Sequence, residues 1–161
     1  MSVRPIRPDD VPAVVGLVRE LADYEQALHE VHLTEEQLTD CLFGHSPALF
    51  GHVAEQDGEV VGIALWFLNF STWRGTHGIY LEDLYVRPEH RGNGLGKELL
   101  RTLAEVCVQR GYSRLEWSVL DWNAPSIDFY KAAGAVPMDE WTVFRLTDDA
   151  LTRFAQDRRP R

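Results

Sequence analysis

Residues Arg91–Gly96, which read Arg-Gly-Asn-Gly-Leu-Gly, lie between a strand-like run and a long amphipathic helix. The run before them, Ile79-Tyr80-Leu81-Glu82-Asp83-Leu84-Tyr85-Val86, is rich in the β-branched and aromatic side chains that suit a pleated surface. After them, Leu95, Leu99, Leu100, Leu103 and Val106 recur along one helical face. A strand, a tight glycine loop and a helix N-terminus in succession form an anion site. Unpaired main-chain N–H groups and the positive end of the helix dipole converge there, and the missing Cβ atoms let a phosphate approach.

Spacing separates this loop from two other phosphate-binding patterns. A P-loop requires four residues between its first glycine and a Gly-Lys-Ser/Thr, but here Gly96-Lys97 is followed by Glu98 and position 91 is Arg. A dinucleotide fingerprint requires Gly-x-Gly-x-x-Gly, and Gly96 follows Gly92 and Gly94 one residue too early. What remains is an Arg-x-x-Gly-x-Gly anion loop, or a glycine-rich turn that binds nothing.

The length of 161 residues fits one domain, residues 1–161, large enough for a real core. Apolar residues make up 45% of the chain, and no run approaches the roughly 18 needed to span a membrane. Arg4, Arg7, Asp9 and Asp10 interrupt any signal-peptide pattern, so a cytoplasmic protein is expected. Cys41 and Cys107 suggest no disulfide framework. A net charge of −9 argues against a nucleic-acid binder and suits a cationic small substrate, although many soluble proteins are as acidic. The basic end Arg158-Arg159-Pro160-Arg161 reads as a solvated tail. His29 and His32 could share a helical face, but no third ligand stands at a metal-binding spacing, and no metal is expected.

The remaining elements follow from local signals. Residues 3–7 read as a first strand, and Asp9 or Asp10 as the cap of a helix with Val14, Val15, Val18, Leu21 and Ala22 on one face. Thr34 and Gln37 form a capping-box pattern for a second helix running through Leu42 and Phe43. Asp57-Gly58 is a hairpin turn between strands 49–55 and 59–69. Residues 114–120 read as another strand, and Pro125 and Gly134 bracket a helix over 124–133. Residues 136–146 supply a last strand or hairpin, and Thr147 caps a final helix. The order predicts a mixed α/β sheet with helices on its faces.

Two residues carry the chemical interest. Glu82 and Asp83 form an acidic pair inside an apolar strand, where alternation would send their side chains to opposite faces. Asp83 reads better as a structural hydrogen-bond acceptor, and Glu82 as the carboxylate that orients an amine or takes its proton. Tyr130, on the 124–133 helix, has a phenol able to protonate a departing thiolate, whereas Phe129 reads as core. A helical tyrosine is equally a core residue with a wet tip.

The Arg-x-x-Gly-x-Gly loop and its Val86-Arg87-Pro88-Glu89-His90 lead-in resemble the pyrophosphate-binding loop of the GNAT acetyltransferases, which hold acetyl-coenzyme A. The spacing Asn123-x-x-Ser126-x-x-x-Tyr130 is similar to that family's second cofactor-contacting segment. The likeness extends from about residue 3 to about residue 146. It runs through Glu20-Leu21-Ala22-Asp23-Tyr24-Glu25, Leu33-Thr34-Glu35, Tyr80-Leu81-Glu82-Asp83 and Phe129-Tyr130-Lys131. It is to the diamine group, which includes spermidine/spermine and thialysine types.

The resemblance implies a mixed, mostly antiparallel GNAT sheet flanked by helices, with acetyl-coenzyme A as co-substrate and no metal. It implies that Leu84, Tyr85 and Val86 meet the pantetheine through backbone groups. Arg91, Gly92, Asn93, Gly94, Leu95, Gly96 and Lys97 would hold the pyrophosphate, and Asn123, with Ser126 in the same segment, the pantetheine arm. Tyr24, Glu25, Glu82, Glu116, Trp117 and Ser118 would line the amine site, and Tyr130 would protonate the sulfur. A homodimer acting on a small-molecule amine follows from the same likeness. Polyamine-specific members carry Asp where this chain has Ser71, which favours a thialysine- or lysine-like amine. A GNAT acting on peptide or protein amines or aminoglycosides, and a non-catalytic acetyl-coenzyme A module, are the alternatives.

Overall fold

Asp57 and Gly58 both take positive φ, 53° and 78°, as the tight turn between two antiparallel strands demands. They join β2 (Phe50–Gln56) to β3 (Glu59–Ser71), which in turn pairs antiparallel with β4 (Thr76–Val86). β1 (Ser2–Pro5) adds to β2, and β5 (Leu115–Glu116) lies parallel to β4. The sheet order is β1-β2-β3-β4-β5, a mixed and mostly antiparallel arrangement. This computed structural model describes residues 2–160, so Met1 and Arg161 of the predicted domain lie outside the described residues.

The chain divides into two compact units, one ending at Leu120 and one beginning at Asp121. In the first, α1 (Val11–Tyr24) and α2 (Glu35–Phe43) cover one face of the sheet. Val14 and Leu17 of α1 and Leu38 of α2 pack there with Val53, Ile63, Leu65 and Tyr85. α3 (Leu95–Arg110) packs against the same strands, burying Leu95, Leu99, Leu100, Leu103 and Cys107. Each fully buried leucine of that stripe contributes about 1.5–3 kcal/mol. The second unit holds α4 (Ala124–Ala132) and α5 (Asp148–Gln156).

The Thr34–Gln37 box is reciprocal. Gln37 N–H donates to Thr34 Oγ1 at 3.1 Å, and Thr34 N–H to Gln37 Oε1 at 3.0 Å. Asp10 differs from expectation, because its carboxylate is taken by Arg4 and by the Arg7 N–H and so caps no N–H of α1. His29 falls in a 3-10 turn over Leu28–Glu30 and His32 outside any helix, so they share no helical face. The strand predicted over 114–120 contracts to Leu115–Glu116, and 136–146 forms no strand. Alternating apolar residues suit a strand, but only pairing with a neighbour makes one. No helix among the described residues is long and apolar enough to cross a membrane.

Candidate active site

The register of β3 against β4 slips at one place. Leu65 lies opposite Asp83, and the next residue, Trp66, lies opposite Leu81, so Glu82 is an extra residue without a partner. Such a bulge bends its strand and re-aims side chains. The expectation that Glu82 and Asp83 point to opposite faces assumed unbroken alternation, which the bulge interrupts at this place. β5 pairs with β4 only at Ile79 and Tyr80, and among the described residues no strand pairs with that edge from Leu81 to Val86. An extended ligand can add to such an edge through main-chain hydrogen bonds.

Asp83 is the perturbed acid. Burial, then the charges of Glu82 and Glu25, push its carboxyl up from 3.8 to about 7. Among the described residues its carboxyl has no side-chain hydrogen-bond partner, contrary to the structural-acceptor role expected from sequence. Burial also raises Glu25, which directly follows α1. Glu82 is exposed. Three carboxyls from a strand bulge and a helix end thus form one acidic group. The sequence analysis singled out Glu82 and Glu25; the structure adds Asp83 beside them, a carboxylate in an apolar strand.

The loop follows from the end of β4. Gly92 and Gly94 both have φ of 88°, a left-handed conformation that costs L side chains strain. Gly94 is the N-cap of α3 and offers no side-chain cap, which leaves the first N–H groups of the helix without one. Asn93 Nδ2 donates to Gln56 Oε1 at 3.2 Å, and Arg91 Nε donates to Val86 O at 2.7 Å. Asn93, Gly94, Leu95 and Lys97 also line a groove of about 340 Å³ with Ser2 and Arg101.

The other predicted residues are placed as follows. The Arg91 guanidinium stands over the ring of Tyr24, at 5.6 Å from its centre. Glu116 on β5 accepts from Asn69 Nδ2 at 3.3 Å, Ser118 and Tyr80 share a 2.7 Å hydroxyl contact, and Trp117 between them is half-buried. Leu84, Tyr85 and Val86 close β4. In the second unit, Asn123 caps α4 by accepting from Ser126 N–H at 3.4 Å, and Tyr130 lies on the same helix beside Phe129.

A diphosphate-bearing carrier is what this loop and open edge would accept, so the chain falls in the class of carrier-dependent group transferases. The acetyltransferase (GNAT) family profile matches residues 15–135, and the chain belongs to that family; it is an N-acetyltransferase. It is 38% identical to the thialysine N-epsilon-acetyltransferase of Bos taurus, over 96% of this chain and 97% of that protein. An L-ornithine N5-acetyltransferase of Arabidopsis thaliana is 30% identical over 92% of this chain and 85% of its own length. Among solved structures, an integron cassette protein from the mobile metagenome of V. cholerae has the same fold. Its TM-score is 0.81 at 24% identity, covering 97% of this chain and 98% of that one.

The family uses acetyl-coenzyme A as co-substrate, and this chain's residues fit it. A Cβ built on Gly92 or Gly94 would meet no atom within 4 Å, so the space above the loop is open to a diphosphate.

Proposed function

We propose that the two units act as one acetyltransferase domain that acetylates the primary amine of a small thialysine- or lysine-like substrate by direct transfer. The observation that carries this reading is the acidic group of Glu25, Glu82 and Asp83 beside the unpaired edge of β4. An acidic group attracts a cationic amine, and the similarity to thialysine and ornithine acetyltransferases over nearly the whole chain supports a substrate of that size. The family profile runs from 15 to 135, across the division at Leu120, which supports a single working domain.

When bound, acetyl-coenzyme A supplies the acetyl group as an activated thioester. Main-chain groups of Leu84, Tyr85 and Val86 would hold the pantetheine, Asn123 and Ser126 would steady its arm, and main chain from Arg91 through Gly92, Asn93, Gly94, Leu95 and Gly96 to Lys97 would hold the diphosphate. Tyr24, Glu25, Glu116, Trp117 and Ser118 line the amine site. A lysine-like amine, with an ordinary pKa of about 10.4, must lose a proton before it attacks. Glu82 would receive that proton, directly or through water. The amine nitrogen would then bond to the acetyl carbon as the carbon–sulfur bond breaks. A main-chain N–H at Tyr85 or Val86 would stabilise the oxyanion, and Tyr130 Oη would give its proton to the departing thiolate. Much of the acceleration comes from holding both reactants together.

Ser71 bears on substrate length. Its Oγ accepts from Arg74 N–H inside the β3–β4 turn, and its partner Thr76 lies six residues from Glu82 along β4, about 20 Å. Without a carboxylate there, a long polycation has no distant anchor, so diamines are served better than spermine. The same resemblance supports a cytoplasmic homodimer. Acetyl-coenzyme A turnover against thialysine, lysine, putrescine, spermidine and a peptide, read by thiol release, tests the assignment. Activity confined to the peptide overturns it.

A further inference from the structure

The last turns of α1 grip both ends of the segment that leads into the glycine loop. Glu20 and Tyr24 are four residues apart on that helix and therefore share a face. Glu20 Oε2 accepts from Arg87 Nε at 3.2 Å, and Glu20 Oε1 from the Tyr85 hydroxyl at 3.4 Å. One turn on, the Arg91 guanidinium stands between Tyr24 and Tyr85, 5.6 Å and 5.4 Å from their ring centres, while its Nε is engaged by Val86 O at 2.7 Å. Arg91 is thus clasped by the protein as the loop begins. The residue after Tyr24 is Glu25, whose charge acts on Asp83.

We infer that Tyr24 is a positioning residue for the cofactor loop: through Arg91 it couples occupancy of the diphosphate site to order at the amine site. The inference rests on the acetyl-transfer reading above and adds a link between its two halves. Fixing the loop from either side orders one shared contact, so the ligand bound second meets a site already arranged. The coupling is reciprocal by linkage. The contact that carries it is the one between the Arg91 guanidinium and the face of the Tyr24 ring.

Coenzyme A binding to the full chain, measured calorimetrically with and without thialysine, tests this in Tyr24→Leu and Tyr24→Phe. Loss of the ring face should weaken coenzyme A about three- to fivefold and remove the mutual tightening with thialysine, whereas Tyr24→Phe keeps both. Arg91→Lys, which cannot both stack and donate in a planar fork, should lose the tightening as well; it reads the same contact if Tyr24→Leu does not fold. Unchanged coenzyme A affinity in Tyr24→Leu, or an equal loss in Tyr24→Phe, overturns the inference. If thialysine is not bound at all, the substrate reading falls, and the coenzyme A affinities still decide this one.

Discussion

The carboxyl of Asp83 lies within electrostatic reach of Glu25, so the interior of β4 and the end of α1 contribute to one acidic site. Neither residue has a basic partner among the described ion pairs, and both are raised by burial. Groups held this way are short of a cation, which is what an amine substrate brings.

Asp83 should make stability depend on pH with a defined sign. Its folded pKa is raised from 3.8 to about 7, so its favourable contribution is complete below 3.8 and is lost as pH rises through about 7. Asp83→Asn should therefore be more stable than the unmodified protein at pH 8.5, by about 1–2 kcal/mol, with no gain at pH 4. Urea unfolding at the two pH values checks this, and kcat/KM should fall at least about tenfold.

Tyr130→Phe should lower turnover about a hundredfold while coenzyme A affinity stays within about twofold. Steady-state kinetics together with calorimetry separate the two. An unchanged turnover number removes Tyr130 from the proton-donor role.

Gly94 has a φ of 88° and open space where a Cβ would stand. Gly94→Ala should cost about 1–2 kcal/mol in backbone strain without a clash. The added methyl should also weaken coenzyme A about tenfold by intruding on the diphosphate position. Thermal unfolding and calorimetry read the two effects separately.

His52 is buried and accepts the Trp66 indole N–H at Nδ1, 3.2 Å away. Burial, and then Arg110, hold its pKa below the usual 6.5. A lowered histidine contributes stability above the unfolded value of 6.5 and loses it as pH falls through the folded one. His52→Leu should be less stable by about 1–2 kcal/mol at pH 7.5, and the gap should narrow at pH 5. A gap independent of pH would show that this nitrogen does not titrate as described.

What could be read from the sequence was what adjacent residues decide. The Thr34–Gln37 box, the Asp57-Gly58 turn and the glycine loop before α3 each depend on a few neighbouring dihedrals and hydrogen bonds. The strand at 114–120 was only partly legible, because its length depends on a partner that leaves it after Tyr80. A bulged strand bends, and the bulge at Glu82 appears only in the pairing of β4 with β3.

By itself, then, the sequence determined the mixed sheet, the anion loop and the likeness to diamine acetyltransferases. Tertiary structure alone decided that Asp83 joins Glu82 and Glu25 in one acidic group, and that Arg91 is clasped by Tyr24. The physical reason is distance along the chain. A carboxyl's proton affinity and a guanidinium's stacking partner are set by groups far away in sequence, brought near only when α1 packs on the sheet.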